Sequence, residues 1–232
     1  EGKSGLFSLY EQGEVLPDIL LDGIGEVWRV RDLSMKPYPC CRCVHTTIQI
    51  ALELRDEGIR ATDILSGTIE LGDVNRRIVG APFDRTHPNP VVHAQFNAAY
   101  AFAAALTDGS VQIGSFAPAR IRADDVAFAA ELDTRTAPDF DPTAVPPARV
   151  ILHLANGDRI ERTRLTMKGA PDEPMTEDEV VTKFRGCLRH GFGTAAGDAD
   201  ALLDAVMHLD QRTKANDIVG LFLSCRRRQL AA

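Results

Sequence analysis

The chain has 232 residues, 44% hydrophobic and 25% charged, with 26 basic against 33 acidic side chains and a net charge of −7. That is ordinary globular composition, enough for one large domain or two small ones, and it excludes a largely disordered protein. The only basic block is Arg226-Arg227-Arg228, which suits the end of a helix, so no basic face for nucleic acid is expected. No run of about 18 apolar residues and no charged-then-apolar leader occurs, so neither a membrane span nor a signal peptide is expected. Cys40, Cys41 and Cys43 are crowded and the total of five cysteines is odd, which is not a disulfide framework. These residues are expected to pack as small apolar groups in a reducing cytoplasm.

Residues 1 to 35 open polar. Leu16, Ile19, Leu20, Leu21 and Ile24 read as a short helix or loop, and Gly25 to Val30 as a strand-like connector. Beyond Cys43 the spacing of Val44, Ile48, Ala51 and Leu52 predicts a helix that opens at His45 and runs to about Glu57. Asp63 to Leu71 alternates in part, as a strand does. A helix is expected from about Val92 to Thr107, with Phe96, Ala99, Tyr100, Ala103 and Leu106 on one stripe. Val126 to Thr136 passes from helix-like to strand-like composition, and Ala137 to Ala148, with four prolines, reads as an exposed loop. Arg149–Leu154 and Arg159–Leu165 flank Asn156-Gly157 and predict a hairpin.

After Pro174 the pattern is helical. Thr176 with Glu179 forms a capping box, and Val180, Phe184, Cys187 and Leu188 make a stripe expected to be buried. Further helices are expected from about Asp198 to Leu209 and from about Asn216 to Arg228. There is no internal repeat. The fold class is therefore α+β, in three parts. Residues 1–35 read as a connector or part of something helical, 36–170 as a small α/β domain, and 171–232 as further helices.

The segment Lys36-Pro37-Tyr38-Pro39-Cys40-Cys41-Arg42-Cys43-Val44-His45 carries the most chemistry. Pro37 and Pro39 fix φ and push the residues before them towards extended conformations. Lys36 thus sits on a stiff arm and His45 on the first turn of a helix, a cation and an acid/base group held in fixed geometry. The plainer alternative is a turn with a solvated lysine and a capping histidine. A zinc site built from Cys40, Cys41, Cys43 and His45 is disfavoured, because four ligands within six residues do not close a tetrahedron without strain.

The segment resembles the K-P-Y-P-x-C…H signature of the MmgE/PrpD family, which includes 2-methylcitrate dehydratases and cis-aconitate decarboxylases. Gly25-Glu26-Val27-Trp28 resembles the family's approach to that lysine. Asn89-Pro90 followed by Ala94-Gln95-Phe96-Asn97-Ala98-Ala99-Tyr100 resembles its P-x-x-x-x-A-x-F-S-x-x-Y helix. Lys168-Gly169-Ala170-Pro171, Pro174 and Lys183-Phe184 resemble its kGdP…P…KF segment. The blocks occur in the family's order. His93 stands where relatives often carry an acidic residue, and Asn97 where they often carry serine.

The resemblance implies a two-layer α/β domain inserted into a large all-helical one, and a cofactor-independent lyase acting on a small di- or tricarboxylic acid. Dehydration of the 2-methylcitrate type is the leading reaction, with decarboxylation or epimerisation as alternatives. Lys36, His45 and Tyr100 match the family's pocket-lining lysine, histidine and tyrosine. Such a reaction needs a base, an acid for the leaving hydroxyl, and a cation for the developing charge. Lys36 suits the cationic role, His45 titrates near neutrality, and Tyr100 offers a phenolic proton. His87, Arg76 and Arg77 are secondary candidates for carboxylate binding, with a solvated surface as the simpler alternative, and His153 has no assigned role. No metal or cofactor is expected. The family's amino-terminal helical half is not in this sequence, so a separate helical partner chain and an oligomer are expected. The competing reading is a binding or regulatory module that kept the fold and lost catalysis.

Overall fold

Residues 5–10, 15–193, 196–211 and 214–229 are described by a computed structural model, and the chain divides after Leu33 into two units. The first holds two one-turn helices, α1 (Leu6–Tyr10) and α2 (Pro17–Leu21). Gly25 to Val30 is not a strand. Its amides bond locally, with Glu26 and Val27 donating to Gly23 and Arg31 to Trp28, and no neighbouring strand pairs with it among the described residues.

In the second unit, α3 (His45–Asp56) follows a short 3₁₀ turn at Arg42–Val44 and buries His45 through Ala51 together with Leu54. β1 (Ile64–Leu71) leads to α4 (Asp73–Val79), α5 (Pro90–Gln95), α6 (Ala98–Asp108) and α7 (Ala123–Ala130). The chain then forms β2 (Leu132–Thr136), β3 (Ala148–Leu154) and β4 (Arg159–Arg164). The sheet order is β2-β1-β3-β4, with β1 parallel to β2 and the other pairs antiparallel.

Period-two burial builds this sheet: Ala148, Val150, Leu152 and Leu154 of β3 are all buried. In β1 the buried positions Ile64 and Gly67 are three apart, which coincides with the register irregularity between Ile64 and Ser66. β4 is an arginine-rich edge with no buried residue, a composition that discourages further strand pairing. The hairpin closes as the alternation predicts, with Gly157 at φ +92° in the turn. Helices α3 and α6 pack on each other and against the sheet, making the second layer.

The single helix expected over 92–107 is two. Asn97 is extended, and its side-chain oxygen accepts from Tyr100 N at 2.8 Å, so it stops α5 and caps α6. Phe96 lies outside both helices and is 44% exposed, off the stripe it was expected to join. Every residue from Ala98 to Leu106 is buried, as befits a helix apolar on all sides.

The last layer is helical: α8 (Glu177–Phe192), α9 (Ala196–Met207) and α10 (Ala215–Gln229) pack on one another. The capping box forms at Thr176 and Glu179. The stripe Val180, Phe184, Cys187 and Leu188 is not buried, since α8 contains no buried residue and Cys187 is exposed. Its apolar face fixes a direction, but too little of the chain covers it. The side chains of Arg226, Arg227 and Arg228 lie outside the described residues. Among the described residues, no helix is long and apolar enough to cross a membrane. The fold class is α+β, a four-stranded mixed sheet layered with helices.

Candidate active site

The arm from Lys36 to Cys41 forms one wall of a cavity of about 950 Å³. Gln95, the Gly109–Gly114 loop and the face of α8 carrying Lys183 and Cys187 form the others. Backbone contacts from distant segments hold the arm. Met35 N donates to Gly169 O at 2.7 Å, Cys41 N donates to Gln95 O at 3.0 Å, and the Gln95 amide donates to Pro39 O at 2.8 Å. Lys36 Nζ itself donates to Cys40 O at 3.3 Å.

Three lysines meet at this cavity: Lys36, Lys168 and Lys183. Asp178, Glu179 and His190 line it as well, and Lys168 pairs with Glu179 at 2.9 Å. Lys36 is exposed and Lys183 only half-buried. In an acidic chain this is a local convergence of cations, the arrangement a polycarboxylate needs.

Cys41 is a half-buried thiol of the same wall. The Cys43 thiol beside it pulls its titration below the ordinary thiol range, the Cys43 main-chain N–H and the Lys36 charge add to this, and burial opposes it. Cys43 moves the other way, raised first by its contact with Cys41 and then by burial. Burial also raises the Cys40 thiol.

His45 is 1% exposed and does not line the cavity. Its ring meets the Tyr38 ring edge-on, with centroids 5.2 Å apart, and Tyr38 does line the cavity. Neither ring nitrogen has a well-formed hydrogen bond, although main-chain groups of Cys40 and Tyr38 lean on the ring. Burial pushes its pKa down to about 4, the Lys36 and Arg42 charges act in the same direction, and those main-chain groups oppose them. The imidazole is therefore neutral at pH 7.

Tyr100 lies elsewhere in the core. It is fully buried, stacks on Phe83 at 4.6 Å, and its hydroxyl donates to Arg120 O at 3.5 Å. Burial first, and the Asp125 carboxylate second, push its phenol up to about 12. The structure thus sets Lys36 and His45 at the two ends of one arm and places Tyr100 outside the cavity wall.

Of the remaining positions, His93, Asn97 and Arg77 have structural partners. His93 stacks between Phe83 and His87 and accepts from Asp84 N at 2.9 Å. Asn97 caps α6 and donates to Ala81 O at 2.6 Å. Arg77 pairs with Asp73 on the surface, Arg76 is exposed, and His153 is exposed on β3. Among the described residues, no group of three or more His, Cys, Asp or Glu side chains is arranged to hold a metal ion. Residues that sequence reasoning did not assign to the site are Lys168, Lys183, Gln95 and Cys41. The two lysines were visible only as members of the Lys168-Gly169 and Lys183-Phe184 blocks.

The fold and site define an α+β domain with a lysine-lined cavity at the base of a proline-stiffened arm. Residues 38–209 match the model of the MmgE/PrpD C-terminal domain, and the chain belongs to the MmgE/PrpD family. It is also similar to the cis-aconitate decarboxylase-like protein oryM of Aspergillus oryzae, at 28% identity over 195 residues. That match covers 78% of this chain and 40% of the relative's length.

Proposed function

We propose that the chain is the carboxy-terminal half of a cofactor-independent lyase acting on a small di- or tricarboxylic acid. The observation that carries this reading is the meeting of Lys36, Lys168 and Lys183 at one cavity of about 950 Å³ in a protein of net charge −7. Lys36 binds a substrate carboxylate and stabilises the negative charge that develops when a proton or carbon dioxide leaves the adjacent carbon. His45 and Tyr100 act as proton-transfer groups on rearrangement of the arm and α6 against an amino-terminal helical half. The uncovered faces of α8 and α10, with Phe222 and Leu223 more than 40% exposed, are the physical motive for that partner.

Dehydration of 2-methylcitrate or a similar hydroxy acid is the first reaction to assay. Decarboxylation is the second, because the relative is named for cis-aconitate decarboxylase. The test is co-expression with a candidate helical half, determination of the complex's mass, and product analysis with 2-methylcitrate, citrate and cis-aconitate. Turnover should fall at least ~10²-fold in Lys36→Ala, the scale of losing one charge-stabilising group. Full turnover in Lys36→Ala sinks the assignment of that lysine. Full turnover in His45→Asn or Tyr100→Phe removes that residue from the proton-transfer scheme. A monodisperse chain that takes no partner and turns over none of the three acids leaves the non-catalytic module.

A further inference from the structure

The three lysines of the cavity differ in what already holds them. Lys168 Nζ is paired with Glu179 Oε1 at 2.9 Å. Lys36 Nζ meets a neutral acceptor, the Cys40 carbonyl, at 3.3 Å, and Lys183 has no ion pair among the described residues. The Lys168–Glu179 pair is built in from both sides. Lys168 N donates to Gln49 Oε1 at 3.1 Å, which ties the lysine's backbone to α3. Glu179 is the third residue of α8, and its other oxygen, Oε2, accepts from Thr176 N at 2.7 Å in the capping box. One carboxylate oxygen thus anchors Glu179 to the helix end while the other holds the lysine. Asp178, the second carboxylate of the cavity wall, makes no ion pair among the described residues.

We propose that Glu179 is a specificity-determining residue of this cavity: it withholds Lys168 from the ligand, so that two carboxylates are recognised, at Lys36 and Lys183, and a third adds nothing to affinity. The inference rests on the polycarboxylate reading of the cavity and deepens it. A carboxylate that reaches Lys36 replaces a long bond to a neutral carbonyl with a charge-assisted one, and a carboxylate that reaches Lys183 gains an ion pair. Both are net gains. A carboxylate that reaches Lys168 has to take the place of Glu179. It exchanges one carboxylate contact for another, and Glu179, still tied to Thr176 N, is left as a like charge beside it. The Asp178 carboxylate adds to that repulsion. A placed repulsive charge discriminates between ligands even where the attractive contacts to both are alike.

The experiment compares two acids that differ by one carboxylate, glutarate and tricarballylate (glutarate with a carboxylate on its central carbon). Isothermal titration calorimetry of the full chain at neutral pH gives the ratio of their affinities, in which effects common to both acids cancel. In the wild-type chain the two should bind within about threefold of each other, because the third carboxylate gains no net contact. Glu179→Gln keeps a side chain that closes the capping box. The pair it removes is 25% and 43% exposed, so the fold stands. This variant should shift the ratio towards tricarballylate by at least ~10-fold, the scale of one hydrogen bond to a charged group. Lys168→Ala in the Glu179→Gln background should return the ratio to the wild-type value. Asp178→Asn, which removes a wall carboxylate that holds no lysine, should leave the ratio nearly unchanged.

A wild-type ratio that already favours tricarballylate about 10-fold, a flat ratio in Glu179→Gln, or an equal rise in Asp178→Asn overturns the role of Glu179 and leaves the polycarboxylate reading in place. Glutarate binding should weaken in Lys36→Ala and in Lys183→Ala, and unchanged binding in either overturns the two-carboxylate assignment. If neither acid binds any of these chains, the polycarboxylate reading itself falls, and the inference falls with it.

Discussion

Gly169 fixes the base of the Lys36 arm, and replacing it measures how much that brace is worth. The residue has φ +85°, its carbonyl accepts from Met35 N, and its N–H donates to Glu173 O at 2.7 Å. A Cβ at this position would lie 1.9 Å from Met35 O and 3.2 Å from Pro37 Cδ. The first obstacle is backbone, so no rotamer change relieves it, and the chain carrying Lys36 must move. Gly169→Ala carries the left-handed penalty of about 1–2 kcal/mol plus the strain of that displacement, together about 2–4 kcal/mol. For a chain of this size, that lowers Tm by roughly 5–15 °C. Gly157→Ala is the control. It has φ +92° with nothing within 4 Å of the added carbon, so it should cost only the conformational penalty. Thermal unfolding followed by circular dichroism compares the two. If both variants lose the same Tm, the Met35–Gly169 contact carries no weight and the account of a braced arm is wrong. If Gly169→Ala unfolds much earlier, the proposed lyase reading predicts that its turnover also falls below that of Gly157→Ala.

Asn97→Ala removes the α6 cap and leaves the Ala81 carbonyl without its donor, at a fully buried position. Urea unfolding should show a loss of about 2–4 kcal/mol, and a loss under 0.5 kcal/mol would contradict the break between α5 and α6. His45 supplies a pH test. Its folded pKa of about 4 lies below the ordinary value of 6.5, so the unfolded chain takes up a proton first as pH falls. Stability from this group is complete above pH 6.5, falls between there and pH 4, and totals about 3 kcal/mol. Urea midpoints across that range should fall more steeply in the wild-type chain than in His45→Gln, and parallel curves would refute the buried, neutral ring.

The parts of the fold that were legible in the sequence are those decided locally. Alternation through Arg149–Leu154 and the Asn156-Gly157 pair require a hairpin whatever surrounds them, and the Thr176–Glu179 box closes within one turn. The errors arose where a local signal had two readings. Apolar spacing ran on through Phe96, but Asn97 offered its own side chain to the Tyr100 amide and cut the helix there. In α8 the stripe fixed which face is apolar but carried no information about what covers it. Gly25 to Val30 had strand composition and no partner strand, and composition alone does not make a sheet.

The candidate site divides along the same line. Pro37 and Pro39 made a stiff arm readable from ten residues. The contacts that aim it come from Gln95, at the end of α5, and from Gly169, beyond β4. The Lys168 main-chain N–H is in turn held by Gln49 Oε1 at 3.1 Å, so the site's lower edge is tied to α3. Three segments spread over more than a hundred residues therefore set one lysine, and no spacing rule within a single segment encodes that. Burial works against sequence reading in the same way. A histidine that follows a lysine arm looks like an acid/base partner, but only the packed core turns its ring behind Tyr38 and removes its charge at neutral pH. Such a ring becomes an acid or base at the cavity only if the wall in front of it moves. Under the proposed lyase reading, His45→Asn therefore has to be assayed with the proposed amino-terminal half present.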